Sequence, residues 1–326
     1  MTARLLADIG GTHARFAWQF APGAPLVDVR TLACAAYASL QQAVCAYLVS
    51  IGRRAPPECA IAIANPVLGD QVQMTNHHWG FSVAALRAAF RFERLRVLND
   101  FTALALALPS LRLADMRQLG GTTAVPRKAM ALVGPGTGLG VSGLLPDGRG
   151  GWVALDGEGG HVTLAATTAR EHAVLDWLAR RYGHVSAERA VCGQALVDIA
   201  CALHELDKRL PAQPLQDPAA VVAAAQQAPG GVAAEAVRLF CAFLGTVAGN
   251  LALTLGARGG VYIGGGVVAR LGPLLDASPF RERFESKGRM SAYLVPIPVW
   301  VIQTQESPAL RGASVALDAP GWLDAT

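Results

Sequence analysis

The stretch "LLADIGGTHARFAW", residues 5–18, decides the fold, because one apolar run turns on paired glycines and a threonine directly into another. It reads as strand, tight turn and strand. About 125 residues later "AMALVGPGTGLGVSGLLP" (129–146) repeats that arrangement with little shared spelling, which marks a structural rather than a sequence repeat. Between the two, "LVDVRTLAC" continues as a third strand. Helical and strand patterns then alternate through "ASLQQAVCAYLVSIG", "CAIAIANP", "FSVAALRAAF", "LRVLND" and "FTALALAL", giving the order βββαβαβα. After a Gly-, Thr- and Pro-rich loop at 120–127 and the second hairpin, helical patterns cover about 168–182, 193–208, 218–227 and 232–256. The strands "GGVYIGG" and "VPIPVWVIQ" follow. The expected architecture is α/β: a small domain over residues 1–110 and a large one over 111–305, facing each other across a cleft. The last helical pattern, "SPALRGASVALD" within 306–326, is expected to return to the first domain.

Composition agrees with a well-buried soluble protein, since 52% of the 326 residues are hydrophobic and 16% are charged. The formal charge of +4 is small and the basic residues are scattered, which excludes a nucleic-acid or membrane-surface patch. Cysteines 34, 45, 59, 192, 201 and 241 form no C-x-x-C pair, so zinc sites and redox dithiols are not expected. They read as buried thiols in a reducing compartment. No signal peptide and no uncharged apolar run of about 18 residues is recognised, and the expected location is the cytoplasm.

Both glycine turns suit an anion, because backbone without side chains lets N–H groups converge on a phosphate. The first offers Asp8, Gly10, Gly11 and Thr12; the second, "GPGTGLG" at 134–140, offers Thr137 and Gly138. The competing reading is a plain hairpin with glycines at positive φ. Neither turn continues into Lys-Ser or Lys-Thr, and no G-x-G-x-x-G joins a strand to a helix, so a P-loop and a dinucleotide fingerprint are both absent. A third run, "YIGGGVVAR" (262–270), puts Gly264–Gly266 at a strand-to-helix junction, where Gly265 would admit a nucleoside or simply allow close packing.

In "RVLNDFTALALAL" (96–108) a strand ends in Asn99-Asp100 as a helix begins, and Asp100 reads either as the helix cap or as a functional carboxylate. "LDGEGGHVTLA" and "GHVSAERAVCG" add Glu158, His161 and Glu188, whose local alternatives are a structural histidine and a helix-dipole carboxylate. No metal-ligand spacing is present. A sugar suits the set better, because ring hydroxyls need acceptors and each carboxylate supplies two oxygens.

Together, "DIGGTHAR", "MTNHHWGFS", "LNDFTALA", "GPGTGLGV", "GEGGHVTLA", "GHVSAERAVCG" and "GGVYIGGGVVAR" closely resemble, in order and over nearly the whole chain, the bacterial glucokinase family of ATP-dependent hexose kinases. The resemblance implies two ribonuclease-H-like (actin-like ATPase) domains flanking a cleft, a homodimer, and ATP-dependent phosphorylation of D-glucose at O6 as the first step of its glycolytic use. It implies Asp100 as catalytic base and Asn99, Asp100, Glu158, His161 and Glu188 as sugar ligands. Asp8, Gly10, Gly11, Thr12, Thr137, Gly138 and Gly265 would hold ATP. Mg²⁺ would arrive bridging the phosphates, with Asp8 nearest and no dedicated protein ligand set. The sequence departs from the family pattern at His13, where Asn is usual, at Asn65 in "IANP", and in "GGGVVAR", which lacks a proline before its Arg. A kinase for another hexose remains open. A catalytically silent sugar-sensing regulator is disfavoured by the retained Asp100 and by the lack of a Cys-rich zinc motif and of a helix-turn-helix before the first strand.

Overall fold

Strand β1 (Arg4–Ile9) is buried along its whole length, the burial of a central strand covered on both faces. It opens a computed structural model that describes residues 2–75, 77–208, 215–304 and 306–319. β2 (His13–Gln19) and β3 (Leu26–Ala33) follow as a meander, then α1 (Leu40–Ser50) and β4 (Glu58–Ile63). The short pair β5 (Gln71–Gln73) and β6 (Gly80–Ser82) precedes α2 (Val83–Phe90), β7 (Arg94–Asn99) and α3 (Asp100–Ala107). The second half begins with β8 (Met116–Gln118), β9 (Met130–Pro135), β10 (Leu139–Pro146) and β11 (Trp152–Ala154). Helices α4 (Ala169–Tyr182), α5 (Ala187–Ala190), α6 (Gly193–Leu206), α7 (Pro218–Gln227) and α8 (Val232–Leu255) lead to β12 (Val261–Ile263). Four short helices, α9 (Gly266–Leu271), α10 (Pro273–Asp276), α11 (Phe280–Glu285) and α12 (Ser291–Leu294), come before β13 (Val299–Ile302) and α13 (Pro308–Asp318).

The chain forms two units. Unit one holds Met1–Arg112, Leu144–Asp156 and Thr304–Thr326; unit two holds Leu113–Gly143 and Gly157–Gln303. The hairpin tip 144–156, which the sequence reading assigns to the large domain, therefore belongs to unit one. Its anchor is visible in Thr102 on α3, whose hydroxyl donates to Asp156 at 3.2 Å.

Unit one is built on the sheet β3-β2-β1-β4-β7. β1 runs antiparallel to β2 and parallel to β4, which is parallel to β7. One face is covered by α1 and α2, where Leu5, Ile9, Phe16, Tyr47 and Trp79 share a core. On the other face Leu310, Ala313 and Leu317 of α13 pack on Leu6, Ala17 and Ala60. α13 spans Pro308–Asp318, so the expected 306–326 helix is shorter, and its last residues, 320–326, lie outside the described ones. A methyl group on Gly312 would sit 1.6 Å from the Ala103 carbonyl oxygen, so α13 and α3 meet backbone to backbone. The fully buried Arg4 joins the elements by charge: its guanidinium donates to Glu58 Oε2 at 2.8 Å and bidentately to Asp318.

Unit two is built on β10-β9-β12-β13-β8, the far end of β10 pairing with β11 in unit one. β12 is parallel to both β9 and β13. α8 is long and apolar enough to cross a bilayer, but 72% of its most apolar window is buried against its own unit, where it packs with α6, α7 and α11 as the core helix. At the start of α4, buried Glu171 accepts from Arg283 at 2.5 Å and from the Thr167 amide at 2.7 Å. Burial pushes its carboxyl up, but these hydrogen bonds outweigh burial and hold it below the ordinary glutamate value of 4.5.

Two stability predictions follow from this packing. Gly312→Ala should lower the unfolding free energy by about 1–3 kcal/mol in denaturant titration, because the overpacked contact is main chain and has no rotamer to yield. Glu171→Gln should cost about 3 kcal/mol at neutral pH by stranding Arg283. A depressed carboxylate contributes its stability above the unfolded pKa and loses it as pH falls through the folded one. The gap between wild type and variant should accordingly narrow as unfolding is measured at successive pH values below 4.5.

Candidate active site

In unit one the strand register sets Ile9 beside Ile63 and Ile63 beside Asn99. The segments that follow β1, β4 and β7 thus leave the same edge, the carboxyl ends of parallel strands where open α/β sheets receive ligands. Asp8, Gly10, Gly11, Thr12, Asn65, Asn99 and Asp100 all lie on these strand ends and segments. The turn after β1 is closed by the Gly10 amide donating to His13 O at 2.9 Å, and Cys34 braces it, its amide donating to Thr12 O at 2.9 Å. Gly10 is not at positive φ, and nothing comes closer than 3.6 Å to a methyl group placed there, so neither strain nor crowding requires glycine. Asp8 Oδ2 accepts from Ser307 Oγ at 2.6 Å and from Arg15 at 3.3 Å.

The cap of α3 is Asn99, not Asp100. Asn99 keeps extended backbone (φ −59°, ψ 145°), and its Oδ1 accepts from the Phe101 amide at 2.8 Å and from Thr102 at 3.2 Å. Asp100 is already helical, with Oδ1 taking the Phe101 amide at 2.9 Å. The cap must be the last residue before the helical dihedrals, so Asp100 falls in the first turn, where the dipole favours its charge. Asn99 Nδ2 reaches Asn65 O at 3.5 Å, and Asn65 Oδ1 is itself held by Thr75 at 2.7 Å.

In unit two the turn between β9 and β10 is enclosed almost wholly by backbone. Gly136 N donates to Gly138 O and Gly193 N to Gly136 O, each at 2.8 Å. A methyl group on Gly160 would lie 2.1 Å from Leu139 O, and one on Gly265, whose φ is +87°, would lie 2.3 Å from Pro135 O. Gly136 has nothing within 4 Å of its methyl position, so the turn is open on that side. Glu188 Oε2 accepts the Leu139 amide at 2.8 Å. Glu158 and His161 flank Gly159 and Gly160, their side chains 3.8 Å apart and each more than half exposed (52% and 58%). The Ala187 amide donates to Val162 O at 2.8 Å, which ties this loop to α5 and so to Glu188. Thr137, Gly138, Glu158, His161, Glu188 and Gly265 are thereby gathered around one turn.

Thiolate chemistry is disfavoured at both turns. Burial pushes the Cys34 thiol up, and burial reinforced by the Glu188 carboxylate does the same for Cys192. Among the described residues no three His, Cys, Asp or Glu side chains are grouped to hold a metal. The sequence reading missed Arg15 and Ser307 as partners of Asp8. Arg15 was findable, since hairpin counting places it directly opposite Asp8; Ser307 lies 299 residues away and leaves no local signal.

Comparison with known proteins identifies the family. The glucokinase family model matches residues 5–320. A glucokinase from Aromatoleum aromaticum is 53% identical over 97% of this chain and 94% of its own length. The crystal structure of glucokinase from an Antarctic psychrotroph superposes with a TM-score of 0.87 at 33% identity, covering 98% of this chain and all of the other. A ROK family glucokinase from Streptomyces griseus, in complex with glucose and AMPPNP, shares the fold alone: TM-score 0.60 and 18% identity over 96% of this chain and 98% of its own. The fold is that of sugar kinases with two actin-like ATPase domains. Within that class, the chain belongs to the glucokinase family.

The cap assignment predicts separable effects on stability. Asn99→Ala should cost about 1 kcal/mol in denaturant unfolding, whereas Asp100→Asn, which leaves the cap intact, should cost less than half of that.

Proposed function

We propose that this chain transfers the γ-phosphoryl group of ATP to O6 of D-glucose, giving glucose 6-phosphate and ADP, and that it works in the cytoplasm as a homodimer. The observation that carries the reading is the placement of Asp100: a carboxylate in the first turn of α3, at the carboxyl end of β7, beside a residue that caps the helix in its stead. Asp100 is thus not the N-cap residue, and its carboxylate is read as the base. Asn99, Glu158, His161 and Glu188 are read as partners of the sugar hydroxyls; Asp8, Gly10, Gly11, Thr12, Thr137, Gly138 and Gly265 as the ATP contacts.

In the reaction Asp100 accepts the O6 proton as O6 bonds to the γ-phosphorus and the bond to the ADP oxygen breaks. A carboxylate suffices as the base, because the transition state is loose and most of the catalysis comes from positioning and charge neutralisation. The open face of the β9–β10 turn at Gly136 leaves room for phosphate oxygens against bare backbone. The residues fit Mg²⁺ carried in by the nucleotide: Asp8 is the carboxylate at the first turn, and its described contacts fall on Oδ2 alone. Bound there, the metal would neutralise phosphate charge.

The test is a coupled ADP-release assay over glucose, fructose, mannose and glucosamine. Glucose should be preferred over fructose by at least about tenfold in kcat/KM, because buried polar groups left unmatched penalise the wrong hydroxyl pattern. Equal use of both sugars would reassign the substrate. Asp100→Asn should lower kcat at least about a hundredfold, with glucose affinity by calorimetry changing far less. Turnover within about threefold of wild type would leave Asp100 structural and the reading without its base.

A further inference from the structure

The Glu188 carboxylate is committed at one oxygen before any ligand arrives. Its Oε2 accepts the amide of Leu139, the residue on which the β9–β10 turn re-enters its strand. Two further bonds of the turn run glycine to glycine, Gly136 to Gly138 and Gly193 to Gly136, and Glu188 adds a side-chain hold. Space is arranged around that contact, since a methyl group on Gly138 would stand 2.4 Å from the same Oε2.

Behind it, α5 is braced. Ser186 Oγ accepts the Arg189 amide, and the Arg189 guanidinium lies 4.2 Å over the Tyr182 ring. The Tyr182 hydroxyl donates to buried Asp198 on α6 at 2.5 Å. Glu188 therefore stands on a fixed support rather than a free loop.

We propose that Glu188 is shared between two ligands: it positions the nucleotide turn through Leu139, and it presents its remaining oxygen to the sugar. The proposal rests on the functional reading above. It makes each subsite sensitive to a change in the other. Loss of the Leu139 acceptor should relax the turn and weaken nucleotide binding with no sugar present, and a side chain on Gly138 should displace the carboxylate and weaken glucose binding with no nucleotide present.

The experiment titrates Mg–AMPPNP and glucose separately, by calorimetry, into wild type, Glu188→Ala, Glu188→Gln and Gly138→Ala, with far-UV circular dichroism and melting confirming that each variant is folded. Removing a charged hydrogen-bond partner should weaken sugar-free nucleotide binding to Glu188→Ala by about tenfold. Glu188→Gln, whose amide oxygen still accepts the Leu139 N–H, should stay within about threefold of wild type for the nucleotide while losing glucose affinity. Gly138→Ala should weaken glucose by about fivefold or more. If wild type binds both ligands and Glu188→Ala keeps its nucleotide affinity within about twofold, Glu188 serves the sugar alone and the proposal falls. If wild type binds neither ligand, the functional reading falls with it.

Discussion

Much of unit two is organised by the close approach of main chain to main chain around one turn. Carbonyls of Pro135 and Leu139 stand where side chains of Gly265 and Gly160 would have to be, and the Glu188 carboxylate stands where one of Gly138 would be. Packing of this kind has no soft component: a rotamer can swing aside, whereas a carbonyl moves only with its strand. The functional loops are thus held in register by the sheet itself, and the exposed Glu158 and His161 inherit a fixed base although their own side chains are half free. Unit one shows the same device where Gly312 of α13 meets the Ala103 carbonyl of α3. That contact seats the helix carrying Asp100 against α13.

Charge does the corresponding work at the opposite end of β1. Arg4 is buried because Glu58 and Asp318 surround it, and the pairing joins the first strand, its parallel neighbour and the last helix. A buried cation of this kind is weak evidence of net stability, since apolar residues of similar volume often serve as well, but a change to one partner leaves the others uncompensated. Its evident effect is orientation, fixing which end of α13 lies over which end of the sheet.

Periodicity and capping residues made the long elements legible: α4 begins at a Thr168 cap, α7 at Asp217 and Pro218, and α8 ends at Gly256 in the left-handed region. The three-residue strands β5, β6, β8 and β11 are too short to show a period of two and were not legible, whereas β12, of the same length, was read from its apolar run between glycines. "VPIPVWVIQ" narrows to Val299–Ile302 because Pro296 and Pro298 cannot donate to a ladder. Asn99 and Asp100 are equally good caps by type, so only dihedrals could separate them. The Glu188–Leu139 contact spans 49 residues and leaves no mark on local sequence. The carboxylates were legible as a chemical set, but the backbone bond that occupies one of them was not.

Unit one is discontinuous: its sheet is written in the first hundred or so residues, yet the helix that covers one face comes after all of unit two. Translation therefore delivers the sheet long before its cover. Until α13 emerges, Leu6, Ala17 and Ala60 lack their apolar cover and Arg4 lacks one of its two carboxylate partners. Domains tend to fold as units in the order they are made. Here that order is reversed: unit two can consolidate first, and the unit that carries Asp100 is sealed only by a helix translated after it.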